Sequence, residues 1–190
     1  MPRRKYPPQV VDYMRTNKSY IATTRFNNET WQENQRFLDG LRDTDVSAKR
    51  MQCLYSCSVA IGEIVPIAAN VLVLEMNNET NQLLGIGLIK NHAPLFQKYT
   101  MYSQEKYNRY SYYGAHHITR ADMDDEELEL LRLLERYCFH GRRHQKRMDG
   151  IRLFPPDILY EIYEQKERNL SVEIANMFKR RALNPSPTTH

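Results

Sequence analysis

The residues with the clearest chemical use are cations set among aromatics. Arg142, Arg143, Lys146 and Arg147 fall within six residues, and Arg152 follows. Lys106 and Arg109 interleave with Tyr107, Tyr110, Tyr112 and Tyr113. Guanidinium and ammonium groups at this density suit phosphate oxygens, whose contacts supply most nonspecific affinity for nucleic acid. Tyrosine rings suit the faces of unpaired bases, each stack being worth about 1–3 kcal/mol. The plainer account of the same residues is a solvated basic loop beside a partly buried tyrosine sheet.

Other chemistries are less well served. Cys138, His140 and His144 form a C-x-H-x3-H pattern, and Cys53 with Cys57 could complete a tetrahedral zinc set. Cys138 also fits an apolar helix stripe and no second Cys/His pair is present, so no metal and no other cofactor is expected. Three cysteines, an odd number, argue against a disulfide framework. A free cysteine is usually a small buried hydrophobe, and none here sits where its thiol would be activated. No phosphate-cradling glycine loop, H-E-x-x-H pair or deaminase signature occurs. No catalytic residue is assigned.

Elements must hold the cations and rings in place. The organising stretch is VLVLEMNNETNQLLGIGLIKN from Val71. It reads as a buried strand over 71–75, a turn over 77–81 where asparagine tolerates the left-handed conformation, and a return strand over 83–90. Gly85 and Gly87 share one side of that return strand, where glycine marks close approach by another segment. The tyrosine-rich run 107–118 reads as a further strand, with Tyr110 and Tyr112 on one face and Tyr113 on the other. His116 and His117 then point to opposite faces.

Around this core, SYIATTR (19–25) reads as a first strand and 29–41 as a helix carrying Trp31, Phe37, Leu38 and Leu41, ending near Gly40. A strand over 52–57 and a short extended piece over 60–65 follow. Thr119 with Asp122 resembles a capping box. The helix it opens, 122–140, starts acidic and ends basic, which suits the helix dipole. Its stripe is Leu130, Leu131, Leu134, Tyr137 and Cys138. The apolar segment 151–154 precedes helices over 157–165 and 171–181.

The chain has 190 residues, a net charge of +4 and 41% hydrophobic residues. That length supports one domain, burying about 70% of its unfolded surface. No apolar run approaches the roughly 20 residues of a membrane span. The charged N-terminus lacks the apolar segment of a signal peptide, so no membrane partner and an intracellular location are expected. The organisation is a flexible basic arm over 1–18, a single α+β domain over 19–181 and a disordered tail over 182–190. Arg3, Arg4 and Lys5 of the arm could touch phosphate. The domain is expected to be a small mixed, partly closed β-barrel (19–118) with an early helix, followed by a C-terminal helical section (119–181).

The strand SYIATTR, the Trp31 helix, the "VLVLE" strand preceding a G-x-G strand and the tyrosine-rich strand together resemble the PUA-like superfamily, especially its EVE and YTH branches. The resemblance covers about 19–118 and implies binding of RNA or DNA, with a modified or flipped base held in an aromatic cage. It makes Trp31, Tyr55, Tyr110 and Tyr112 the cage candidates. The asparagine, tyrosine and methionine usage is also similar to that of proteins of large DNA viruses, implying the cytoplasm or nucleus of a host, or a virion. The expected function is a nonenzymatic nucleic-acid-binding module, with phosphates on Arg142, Arg143, Lys146, Arg147 and Arg109. The alternative is a structural or virion assembly protein acting through protein–protein contacts.

Overall fold

A computed structural model describes residues 6–17, 19–92, 99–147 and 149–183. The central element is a five-stranded sheet in the order β6-β4-β3-β1-β7. It comprises β1 (Ser19–Phe26), β3 (Asn70–Asn77), β4 (Gln82–Lys90), β6 (His116–Thr119) and the two-residue β7 (Arg152–Leu153). β1 and β3 run parallel, Ser19 opposite Asn70 through Phe26 opposite Asn77. The other pairs are antiparallel. A separate antiparallel pair joins β2 (Cys53–Cys57) to β5 (Tyr110–Gly114).

The alternation of side chains gives the main sheet two apolar faces. Ile21, Leu72, Leu74, Met76, Ile86 and Ile118 pack against a helical layer. That layer is α1 (Pro8–Thr16), α3 (Asp125–Phe139), α4 (Pro156–Lys166) and α5 (Leu170–Leu183). On the opposite face, Ala22, Val71, Val73 and Ile89 pack against Leu54, Tyr55 and Tyr112 of the two-stranded sheet and Leu38 of α2 (Asn28–Thr44). Three layers thus share one sheet. Each fully buried Leu, Ile or Val contributes about 1.5–3 kcal/mol.

The local chemistry explains most boundaries. Asn77 closes the β3–β4 turn by accepting from the backbone N–H of Glu79 (2.9 Å) and Thr80 (3.2 Å), and Asn81 takes φ +55°. α2 opens on a reciprocal Asn27–Thr30 capping box and continues through Gly40 to Thr44; one glycine costs only about 1 kcal/mol there. α3 is capped by Asp124 and Glu127, not by Thr119 and Asp122. The Thr119 hydroxyl still donates to Asp122 (2.7 Å), within a 3-10 turn.

The expected α+β class is what the chain forms. Among the described residues the strands make one open sheet and one separate pair, with no closed barrel. Three expectations are corrected. The arm over 1–18 is not loose throughout, because 8–16 is a helix whose Val10 and Tyr13 are buried, Tyr13 meeting the Tyr160 ring edge-on at 5.9 Å. Arg3, Arg4 and Lys5 lie outside the described residues. The tyrosine run is not one strand: it is a 3-10 turn (Glu105–Asn108), then β5, then β6 in a different sheet. Residues 182 and 183, expected in a disordered tail, belong to α5, which reaches Leu183; 184–190 lie outside the described residues. No helix among the described residues is long and apolar enough to cross a membrane.

Candidate nucleic-acid interface

The parallel strands β1 and β3 both end at one place, and α2 begins there. Open sheets bind ligands outside the carboxyl ends of their parallel strands, and a helix N-terminus favours an anion. A cleft of about 370 Å³ lies at this point. Its aromatic lining is Phe26 from the end of β1 and Tyr102 and Tyr107 from the segment before β5; Phe26 and Tyr102 are largely buried, 3% and 7% exposed, and Tyr107 is the half-buried ring that offers a face. Thr24, Thr30, Ser56 and Asn78 add polar groups, and Lys146 and Arg147 also line the cleft. The volume falls within the roughly 300–1,000 Å³ usual for small-molecule sites.

The rings are fixed from behind. Asn108 is buried, accepts from the backbone N–H of Met101 (3.0 Å) and Tyr102 (2.9 Å), and donates to the Tyr102 carbonyl (2.7 Å). Asn34 in α2 donates to the Leu54 carbonyl (2.7 Å) and the Tyr102 hydroxyl (3.3 Å). Burial raises the Tyr102 phenol despite the Asn34 hydrogen bond, so it stays protonated. Tyr107 meets Tyr102 edge-on at 6.4 Å, and the Lys106 ammonium lies 4.7 Å from the Tyr107 ring centre.

The basic loop is fixed by one residue of β1. Arg25 donates its Nε to the Gln145 carbonyl (2.5 Å), Nη1 to the Gly150 carbonyl (3.1 Å) and Nη2 to the Thr23 hydroxyl (2.7 Å). Burial pulls its pKa down to about 10, still fully charged at neutral pH. Gln145 is itself buried and donates its backbone N–H to the Cys138 carbonyl (2.7 Å). Asn78 donates to the Lys146 carbonyl (3.2 Å), while its side-chain oxygen is buried and accepts no hydrogen bond. Lys146 Nζ donates to Asn81 (2.7 Å). Arg147 is exposed and makes no ion pair among the described residues. Among the described residues, Asp149 is the one carboxylate in the cleft lining.

The sequence-expected cations therefore divide. Lys146 and Arg147 face the cleft. Arg143 turns instead to Asp157 (2.5 Å) and Glu161 (3.5 Å) of α4, and Arg142 lines a separate groove beside it. Arg109 lies over the Tyr110 ring at 5.5 Å, in another groove with Ser58 and Lys106.

The expected cage is not assembled. Tyr55 and Tyr112 are sealed in the core, 1% and 2% exposed. The Tyr55 hydroxyl donates to Glu75 (2.7 Å), and the Tyr112 hydroxyl accepts from the Ile61 N–H (3.0 Å). Trp31 is half-buried and stands edge-on to Phe26 at 5.0 Å, backing the cleft without lining it. Tyr110 is half-buried outside the cleft. Phe26, Tyr102 and Arg25 were not singled out by the sequence. The available signal was Arg25 at the end of an apolar strand, a charged residue that must find partners where the strand leaves the core.

The weak metal candidates are also separated. Cys138 is fully buried on the helical face of the sheet, while His140 is exposed at the α3 C-cap. His144 Nδ1 accepts from the Lys146 N–H (3.2 Å). Among the described residues no three His, Cys, Asp or Glu side chains form a metal-holding group. Burial pushes the Cys53 and Cys138 thiols up to about 12 and raises that of Cys57.

A second buried polar group lies under the two-stranded sheet. Glu75, 1% exposed, sits at a register shift between β3 and β4 and accepts from both Tyr55 and His117 (2.9 Å). A Cβ on Gly87 would lie 1.9 Å from the Tyr55 hydroxyl, and one on Gly85 2.8 Å from Glu75 Oε2. These glycines therefore make room for the network, as the crowding reading expected. His117 faces this group while His116 is exposed. Burial lowers the His117 pKa, but the charge and hydrogen bond of Glu75 outweigh it and leave it raised.

No family model, curated protein or solved structure matches the chain.

Proposed function

We propose that this chain is a nonenzymatic nucleic-acid-binding module that accepts an unstacked base in the Phe26–Tyr102–Tyr107 cleft. The observation that supports this reading is the convergence of two distant segments, the ring-bearing 102–107 and the basic 146–147, on the carboxyl ends of two parallel strands. Tyr107, the half-buried ring, would stack on the base with Tyr102 and Phe26 backing it, and Lys146 and Arg147 would neutralise its phosphates. Buried thiols with raised pKa supply no ready nucleophile in the cleft. A PUA-like relationship, with a partly closed barrel and selection of a modified base, belongs to the same proposal. Its support is the two-stranded sheet packed across the main one, sharing a core that ends at an aromatic cleft.

Fluorescence anisotropy with labelled single-stranded and duplex DNA and RNA, over a series of salt concentrations, tests the reading. Single strands should bind more tightly than duplexes, with affinity falling as salt rises. Lys146→Ala with Arg147→Ala should reduce the single-strand salt slope by about 1.4, at roughly 0.7 per phosphate contact. No binding of any probe at low salt would reject the module and favour a role through protein–protein contacts in assembly.

A further inference from the structure

The basic loop has a second flank. A groove of about 620 Å³ runs between the C-terminal turn of α3 and the side of α4. Arg136, Tyr137, His140, Arg142, Glu161 and Lys166 line it. Its acidic side is consumed: Arg143 pairs with Glu161 and with Asp157. Arg136, Arg142 and Lys166 are exposed and form no ion pair among the described residues. Arg136 and Lys166 each sit in the last turn of a helix, where the dipole favours a cation. That accounts for each one singly. It does not account for cations from two helices and a loop lining one concave surface.

Residues of one loop line both the groove and the aromatic cleft. Gln145 holds the loop to α3 through the Cys138 carbonyl and to β1 through Arg25. Arg142 lines the groove and Lys146 lines the cleft. Four residue steps separate them, at most about 14 Å of extended chain.

Resting on the reading above, we infer that the α3–α4 groove carries the phosphates flanking the base held in the cleft. The ligand is then a single-stranded polynucleotide that crosses the loop, not a free nucleotide. Tyr137, half-buried in the groove, offers a ring to the neighbouring base.

The test compares a labelled single-stranded homopolymer oligonucleotide with one nucleoside monophosphate, each titrated against wild type and Arg136→Gln/Lys166→Gln. Neither substituted residue lines the aromatic cleft, and thermal unfolding reports any loss of fold. Oligonucleotide affinity should fall about tenfold at low salt and its salt slope by about 1.4, two single-strand phosphate contacts at roughly 0.7 each. Monophosphate binding should not change. If oligonucleotide affinity and slope stay at wild-type values while Lys146→Ala/Arg147→Ala still weakens binding, the groove inference falls and the cleft reading stands. If monophosphate binding weakens equally, the groove is not a separate flanking site and the inference falls. If wild type binds neither probe, both fall.

Discussion

Arg25 in β1 donates its Nε to the carbonyl oxygen of Gln145, 120 residues further along the chain, at 2.5 Å. This bond brings the basic loop onto the end of β1, where the chain turns into α2. Asn78 and Asn81 add two more bonds to the loop, both to Lys146.

Arg25→Met should therefore affect stability and binding together. It removes three hydrogen bonds from a charged donor, of a kind each worth about 1.5–3 kcal/mol. Urea unfolding should show a net loss of about 2–4 kcal/mol, less than their sum because water reaches the vacated carbonyls. Arg25→Lys should recover little, since one ammonium cannot span three acceptors in a planar fork.

Gly87→Ala should be among the most damaging single changes. The new methyl would overlap the Tyr55 hydroxyl and press on Cys53 Sγ at 2.9 Å. A loss of about 3 kcal/mol is expected from overpacking. Adding Tyr55→Phe removes the overlapping oxygen but leaves Glu75 one donor short. The double variant should be less destabilised than the two single losses summed, by about 1 kcal/mol or more. Strict additivity in denaturant unfolding would place the clash elsewhere.

The His117–Glu75 pair gives stability a defined pH dependence. The folded His117 pKa is raised, so its contribution is complete below the unfolded value of about 6.5 and is lost as pH rises through the folded value. Unfolding free energy should decline over that window in wild type and stay flatter in His117→Gln. A wild-type stability that increases over the same interval would contradict the assignment.

Glu127 acts at the acid end. It caps α3 and accepts from Arg180 (2.8 Å) and Arg181 (2.6 Å) of α5. Burial raises its pKa, but the hydrogen bonds of Arg181 and Arg180 and the charge of Arg181 outweigh this and leave it lowered. Its contribution is present above the unfolded value and is lost as pH falls through the folded one. Glu127→Gln should cost about 1–2 kcal/mol at neutral pH, discounted because Arg180 is 54% exposed. It should also shallow the acid limb of the stability curve.

The sequence made the β3–β4 hairpin legible because its signals are local: an apolar run, an asparagine turn and a return strand with glycines. Gly85 and Gly87 were legible as crowding, though their partners, Tyr55 and Glu75, were not. The run 107–118 misled because alternation continues across a break. Gly114 lies so close to the Leu88 carbonyl that a Cβ would sit 2.0 Å away, and the chain changes sheets just beyond it. The cleft was only half legible. Lys146, Arg147 and Tyr107 carry charge and ring density, which a sequence displays. Tyr102 lies in irregular chain held by Asn108, which has no period to read. Tyr55 and Tyr112 looked available because a tyrosine in a strand carries no mark of which sheet will cover it.

Photo-crosslinking of a single-stranded oligonucleotide containing a halogenated pyrimidine, followed by mass spectrometry of the linked peptides, tests the central claim most directly. The account requires the crosslinks to fall on Tyr102, Tyr107 or Phe26 and to be lost in Lys146→Ala/Arg147→Ala at moderate salt. Crosslinks confined to other surfaces, such as exposed Tyr113 or Tyr163, or none under conditions of saturating binding, would contradict it.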